Sequence, residues 1–145
     1  MSTVLVLNGP NLGRLDIRDS SVYGTLNFPQ LVEFVVREAS QLGFVADVRQ
    51  SDSESEIVGW LHEAADANIP VIINPAAFTH YSYAIRDAAE MLKAPLIEVH
   101  LSNPLAREEF RHTSVISGIA TGTVAGFGPD SYRLALIALN GILSK

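Results

Sequence analysis

The amino-acid sequence predicts a doubly wound α/β fold, in which a five-stranded parallel sheet carries helices on both faces, and three observations support it. Short runs rich in valine, isoleucine and leucine alternate with segments of helical periodicity. The 145 residues, 48% of them hydrophobic, suffice for one sizeable core. No linker, low-complexity run or internal repeat divides the chain. We therefore expect one domain over residues 1–145, of the flavodoxin-like kind.

Five apolar runs are the predicted strands: residues 4–8, 44–48, 70–74, 95–99 and 122–127. Apolar residues at helical spacing indicate three helices between them, marked by Leu31, Phe34, Val35 and Leu42, by Ile57, Trp60, Leu61 and Ala64, and by Ala84, Ile85, Ala88 and Leu92. A last helix is predicted over residues 131–143. Right-handed crossovers between parallel strands would place these helices above and below the sheet.

The composition argues against several classes of protein. The absence of cysteine rules out disulfides and thiolate metal sites or nucleophiles. The net charge is −6 and only two residues are lysine, so we expect no nucleic-acid partner. No signal peptide is recognisable, and no stretch approaches the roughly 18 apolar residues of a membrane span. We expect a soluble cytoplasmic protein with no membrane partner.

The connection after the first strand is unusually long. Residues 9–26 show neither helical nor strand periodicity, whereas connections in α/β units usually span about 2 to 6 residues. Open α/β sheets bind ligands beyond the carboxyl ends of their strands, near the point where the strand order reverses. We therefore interpret this connection as a binding loop or lid.

Polar side chains follow several strands at this same edge: Asn8, Asn11, Asn74, His80, His100 and Ser102. Glu98 and His100 are two residues apart on one predicted strand, so their side chains share a face. A carboxylate beside an imidazole fixes its tautomer and favours its protonated form, which prepares a general acid.

Two arginines follow the fourth strand in LAREEFRH. Arg107 and Arg111 are four residues apart and would share a face if this segment were helical. A pocket for an anionic or polyhydroxylated ligand would need such positive charge. For Arg107, a solvated surface position is an equally good interpretation.

Familiar motifs of other chemistries are missing. The sequence has no phosphate-binding GxxxxGK[ST] loop, no GxGxxG after the first strand and no paired-histidine metal spacing. The only lysines are Lys93, at a predicted helix end, and Lys145, at the chain end, and neither is well placed for Schiff-base chemistry.

Four motifs occur in one register over most of the chain, from Leu7 to the last helix. They are NGPNL, the RxxxxYG pattern from Arg18 to Gly24, NPAAFTHYSYAIRDA and IEVHLSNPLAREEFRHTS. Together they resemble the type II 3-dehydroquinate dehydratases. The resemblance implies anti elimination of water from 3-dehydroquinate, through an enolate, to give 3-dehydroshikimate in the shikimate pathway. It also implies no cofactor, no metal and a homo-dodecamer built as a tetramer of trimers.

The resemblance assigns roles by position. Tyr23 is the implied base with Arg18 as the loop arginine beside it, His100 is the acid oriented by Glu98, and Asn11 organises a water against the enolate. The implied substrate-binding residues are Asn74, His80, Leu101 through its backbone, Ser102 and Arg111, with Asp87 reaching the site of a neighbouring subunit.

Elementary chemistry agrees with the implied base. A free tyrosine has a pKa of about 10 and is mostly neutral at pH 7, so it needs a nearby cation to act as a base. Arg18 lies five residues away on the same loop. The long connection is then a lid that carries both the base and its activator.

Two other functions remain open on the sequence alone. A flavodoxin-like sheet could bind a flavin or nucleotide through its first loop. The apolar final segment YRLALIALNGIL also suits a non-catalytic assembly subunit.

Overall fold

A computed structural model describes all 145 residues and contains one five-stranded parallel sheet. The strands are β1 (Ser2–Asn8), β2 (Phe44–Gln50), β3 (Val71–Asn74), β4 (Leu96–His100) and β5 (Gly122–Ala125). Their spatial order is β2-β1-β3-β4-β5, which is the flavodoxin-like order. The predicted fold class is confirmed, and the strand order reverses between β1 and β3.

The helices cover both faces of the sheet. They are α1 (Ser20–Tyr23), α2 (Phe28–Gln41), α3 (Glu54–Ala67), α4 (Tyr83–Ala89) and α5 (Asp130–Leu143). The core under α2 and α5 contains Val4, Val6 and Val99, whereas the core under α3 and α4 contains Leu5, Leu7 and Ile73. Alternate residues of one strand thus enter opposite cores, as strand geometry requires.

Local sequence signals begin the longer helices. Asn27 and Gln30 form a reciprocal capping box at the start of α2. Ser53 and Ser82 each accept a backbone N–H at the starts of α3 and α4. Asn68 ends α3 in the left-handed conformation, which asparagine adopts more readily than most residues.

The loop after β1 differs from the prediction. Residues 9–26 are not free of regular structure, because a 3-10 segment covers Leu12–Ile17 and α1 covers Ser20–Tyr23. Leu12 and Leu15 are buried against the core under α2 and α5, so the first half of the loop is anchored. A second difference is that α4 ends at Ala89, before the predicted Leu92.

Close backbone contact joins β1 and β3 where the strand order reverses. The Gly9 N–H donates to the Asn74 carbonyl at 2.8 Å. A Cβ atom on Gly9 would lie 2.4 Å from the Pro75 carbonyl oxygen, so only glycine fits there. This contact fixes the positions at which the two site-forming loops leave the sheet.

The single tryptophan lies in the middle of α3. Trp60 is partly buried, and the Arg49 guanidinium stacks over its ring at 5.6 Å from the centroid. Arg49 also pairs with Asp47 and Glu63.

No helix of the structure is long and apolar enough to span a membrane.

Candidate active site

A cavity opens at the carboxyl ends of the strands, beside the point where the strand order reverses. The loop after β1 contributes Pro10, Asn11, Leu12, Arg18 and Tyr23; the end of β3 and its loop contribute Asn74, Ala76, Ala77 and His80; the end of β4 and its loop contribute His100, Leu101, Ser102, Pro104, Arg107 and Arg111. The structure therefore gathers residues from three separate loops around one space.

A buried hydrogen-bond chain supports the floor of the cavity. Tyr132 of α5 donates to Asn8 Oδ1 at 2.6 Å and accepts from Asn74 Nδ2 at 2.9 Å. Asn74 Oδ1 accepts the Ala76 N–H at 3.1 Å. Burial raises the pKa of Tyr132, so its hydroxyl stays protonated and keeps donating. The side chain of Asn74 is therefore held in one orientation.

His100 and Glu98 form the contact that their spacing predicted. The Glu98 carboxylate lies 2.5 Å from His100 Nε2 and is 1% exposed. Thr79 and Ser117 donate their hydroxyls to the same carboxylate, each at 2.6 Å. Burial alone would raise the pKa of Glu98, but the hydrogen bonds from His100, Ser117 and Thr79 lower it overall.

The Tyr23 phenol oxygen lies between two guanidinium groups. Arg18 Nη2 donates a short hydrogen bond to this oxygen, and Arg107 Nη2 donates another at 2.6 Å. Arg107 Nη1 also donates to Ser102 Oγ at 3.1 Å. The phenol oxygen therefore accepts hydrogen bonds from two cationic groups.

The arginines make the cavity locally positive in an acidic protein. Burial lowers the pKa of Arg18, Tyr23 opposes that shift, and the charges of Arg107 and Arg111 lower it further. Arg111 also pairs with the exposed Glu108 at 3.2 Å, at the outer side of the cavity. This charge suits an anionic ligand.

His80 and Asn11 are held by backbone contacts. His80 Nδ1 lies 2.8 Å from the Thr113 carbonyl, which can only accept, so Nδ1 carries the proton. Asn11 has a positive φ of 69°, and its N–H donates to the Asp52 carboxylate at 2.9 Å. These hydrogen bonds fix the ring of His80 and the backbone of Asn11.

Most of the residues predicted for the site meet here. Glu98 lies behind His100 rather than on the cavity wall, and Asp87 lies in α4 and does not line the cavity of its own chain. His80 is the last residue of the 3-10 segment Ala76–His80.

For Arg107, the sequence did not distinguish a cavity residue from a solvated surface residue. The segment is not one helix, so the two arginines do not share a helix face. Pro104–Ala106 and Glu109–His112 are separate 3-10 turns, with Arg107 in an extended conformation between them. The only sequence signal that placed Arg107 at the cavity was its position soon after β4.

No group of three or more histidine, aspartate or glutamate side chains is arranged to hold a metal ion.

Known proteins are similar to this chain in sequence and in fold. A family model described as Dehydroquinase class II matches residues 2–140. The 3-dehydroquinate dehydratase of Salinispora tropica is 58% identical over 133 residues, which cover 92% of this chain and 93% of the relative. That of Mycobacteroides abscessus is 57% identical over 92% of this chain and 93% of the relative. The crystal structure of the type II dehydroquinase from Propionibacterium acnes matches with a TM-score of 0.95 at 52% identity, covering 97% of each chain. This chain therefore belongs to the class II dehydroquinase family.

Proposed function

We propose that this chain converts 3-dehydroquinate to 3-dehydroshikimate by anti elimination of water, as a step of the shikimate pathway. Relatives more than half identical over most of the chain carry the name 3-dehydroquinate dehydratase. The observation that carries the mechanism is the Tyr23 phenol oxygen between Arg18 and Arg107, in the same cavity as a histidine backed by a buried carboxylate.

Tyr23 is the proposed base. As a phenolate, its oxygen removes a proton from the carbon next to the substrate ketone, and the electron pair of that C–H bond forms an enolate. Arg18 and Arg107 stabilise the phenolate before the transfer. We propose that Asn11, near the start of the same loop, organises a water that donates to the enolate oxygen.

His100 is the proposed acid. As the enolate re-forms the ketone, its electrons make the new carbon–carbon double bond and expel the hydroxyl on the neighbouring carbon. His100 gives this hydroxyl a proton, so water leaves, and Glu98 stabilises the imidazolium that supplies the proton. No cofactor enters this sequence of steps.

Polar groups around the cavity are proposed to hold the substrate. The carboxylate and hydroxyls of 3-dehydroquinate find donors and acceptors in the side chains of Asn74, His80, Ser102 and Arg111 and in the backbone of Leu101. Several of these groups are already oriented by bonds to the protein, which reduces the entropy lost on binding.

Assembly would complete the site. Asp87 does not line the cavity of its own chain, and we propose that it reaches the site of a neighbouring subunit in a homo-dodecamer, a tetramer of trimers. A cytoplasmic location likewise stays a prediction.

A direct assay tests the activity. Addition of purified protein to 3-dehydroquinate should produce the ultraviolet absorbance of a conjugated enone, and prior treatment with a chelator should not change the rate. A preparation that carries visible flavin absorbance and yields no enone would instead support the flavin-binding alternative. Membership of an enzyme family argues against a non-catalytic assembly subunit.

A further inference from the structure

The buried Glu98 carboxylate has an unusual set of partners. It is 1% exposed, and its only ionisable partner within ion-pair distance is His100. No lysine or arginine pairs with it. The other partners are the hydroxyls of Thr79, Ser114 and Ser117. A buried carboxylate without a cationic partner usually binds a proton, unless donors occupy its oxygens.

Each of these hydroxyls has one proton, and the geometry indicates where it goes. Ser114 Oγ accepts the backbone N–H groups of Ile116 at 3.1 Å and Ser117 at 3.0 Å. Its own proton is thus free for Glu98, whose oxygens lie at 3.0 and 3.1 Å. The hydroxyls of Thr79 and Ser117 each have a Glu98 oxygen at 2.6 Å. Thr79 Oγ1 also lies 3.0 Å from Ser114 Oγ, but its shorter contact with Glu98 assigns the Thr79 proton to the carboxylate. All three hydroxyls therefore lie within hydrogen-bond distance of the carboxylate, and those of Thr79 and Ser117 donate to it.

This arrangement leaves no place for a proton on Glu98 itself. Three hydroxyls and the His100 ring occupy about four lone-pair sites, which is the full capacity of a carboxylate. His100 Nε2 must then carry a hydrogen and donate it. The other ring nitrogen, Nδ1, is the one left for the cavity.

We propose that Ser117 and Thr79 are positioning residues, which hold Glu98 ionised and thereby make His100 Nδ1 the nitrogen that delivers the proton. The ionised state of Glu98 follows from its hydrogen bonds alone, whereas proton delivery by His100 Nδ1 rests on the proposed function.

Other titratable groups face this pair from the neighbouring elements: His80 after β3, Arg18 and Tyr23 from the loop after β1, and Arg107, Arg111 and His112 from the segment after β4. The edge strand β5 contributes only Thr123 and Ala125 to this surface. None of these groups is within ion-pair distance of Glu98, so a change at Ser117 or Thr79 acts on Glu98 directly.

Two sets of variants isolate the hydroxyls. Ser117→Ala removes a hydroxyl whose only side-chain partner is Glu98. Thr79→Val removes the second hydroxyl while keeping the side-chain shape, and Thr79→Ser keeps that hydroxyl as a matched control. Ser55→Ala changes an exposed serine on α3 and controls for a general effect of serine removal. Ser114 is left intact because it also accepts backbone N–H groups.

Nuclear magnetic resonance of the free protein gives the first readout. Carbon-13 shifts of glutamate carboxyls, with Glu98 assigned through Glu98→Gln, report its titration. We expect Ser117→Ala and Thr79→Val each to raise the Glu98 midpoint by about one pH unit, while Thr79→Ser and Ser55→Ala keep the parent midpoint. Nitrogen-15 shifts should show neutral His100 protonated at Nε2.

Kinetics gives the second readout. Since the acid acts only in the transition state, kcat of Ser117→Ala should fall by about threefold to tenfold while KM changes little. A neutral His100 protonated at Nδ1, or unmoved Glu98 midpoints in both hydroxyl-free variants, would overturn the proposal. A parent protein that shows no turnover would refute the proposed function instead, and the resonance data would still decide the state of Glu98.

Discussion

At the scale of single residues, the phenol oxygen of Tyr23 is the atom on which two arginines converge. Tyr23→Phe keeps the ring and removes this oxygen, so we expect kcat to fall by about 10² to 10⁴. The melting temperature and KM should change little, because the ring packing is kept. Steady-state kinetics with 3-dehydroquinate, beside circular dichroism, measures both. Turnover within about threefold of the parent would refute Tyr23 as the base.

Substitution of Arg107 tests whether the second guanidinium beside Tyr23 contributes to catalysis. Its two terminal nitrogens bind Tyr23 and Ser102 together, and a lysine ammonium has no such fork. We expect Arg107→Lys to lower kcat/KM by about tenfold or more. Arg133→Lys, at an exposed pair with Asp130, is the matched control and should keep parent kinetics. If Arg107→Lys kept parent kinetics, as Arg133→Lys should, then Arg107 would be only a surface residue.

Some contacts between site residues could be predicted from the sequence, and others could not. The contact of Glu98 with His100 was predictable, because alternation along a strand fixes which side chains share a face. The contact of Arg107 with Tyr23 was not, because it joins residues 84 positions apart through two irregular segments. The hydroxyls around Glu98 were missed for the same reason, since Ser114 and Ser117 lie on a loop without periodicity.

At the scale of elements, the loop after β1 is expected to behave as a lid with a fixed and a mobile half. The buried Leu12 and Leu15 flank Arg14 and hold its backbone, whereas Arg18 lies beyond them and before α1. Trypsin should therefore cut the free protein after Arg18 faster than after Arg14.

A bound substrate analogue should slow this cut markedly, because Arg18 then engages the closed site, while cuts elsewhere continue. Mass spectrometry of timed digests identifies the cleaved bonds. The nicked protein should lose turnover but keep its compact core. An analogue without effect at Arg18, or full activity after nicking, would contradict the role of a lid.

The elements themselves were largely predictable, and the loops were not. All five strands and the four longer helices fall at or within a few residues of their predicted positions, because apolar periodicity follows directly from burial on one or two faces. The 3-10 segment and α1 were missed because each is too short to show a period. Asp19, which caps α1 through the Ser21 N–H, was a local signal for the start of α1.

At the scale of the whole molecule, exposed apolar side chains support an assembly. Ile137 on α5 is 45% exposed, and Phe110 and Tyr81 beside the cavity are each 58% exposed. We expect light scattering at micromolar concentration to report about twelve times the 15.7 kDa chain mass. Ile137→Glu should lower this mass if α5 lies in an interface. A parent protein that stays at 15.7 kDa would exclude the dodecamer.

Acid should destabilise the fold through Glu98. The pKa of Glu98 lies below the ordinary glutamate value. Ionised Glu98 therefore stabilises the fold fully when the pH is above the ordinary value. This stabilisation is lost as the pH falls through the lower, folded-state pKa. The free energy of unfolding should therefore decline below about pH 5. Urea titrations across this range should show a weaker decline for Glu98→Gln, although that variant starts lower at pH 7. Parallel declines would assign the acid sensitivity to other carboxylates.

The position of Trp60 separates two optical signals. The only indole of the protein lies on α3 under the Arg49 guanidinium and does not line the cavity. Its emission therefore follows the loss of packing between α3 and the sheet, and it is insensitive to events at the mouth of the cavity. Turnover is followed separately, through the ultraviolet absorbance of the conjugated enone that the proposed reaction produces. One sample thus offers a fluorescent indicator of unfolding and an absorbance indicator of turnover, and neither requires an attached dye.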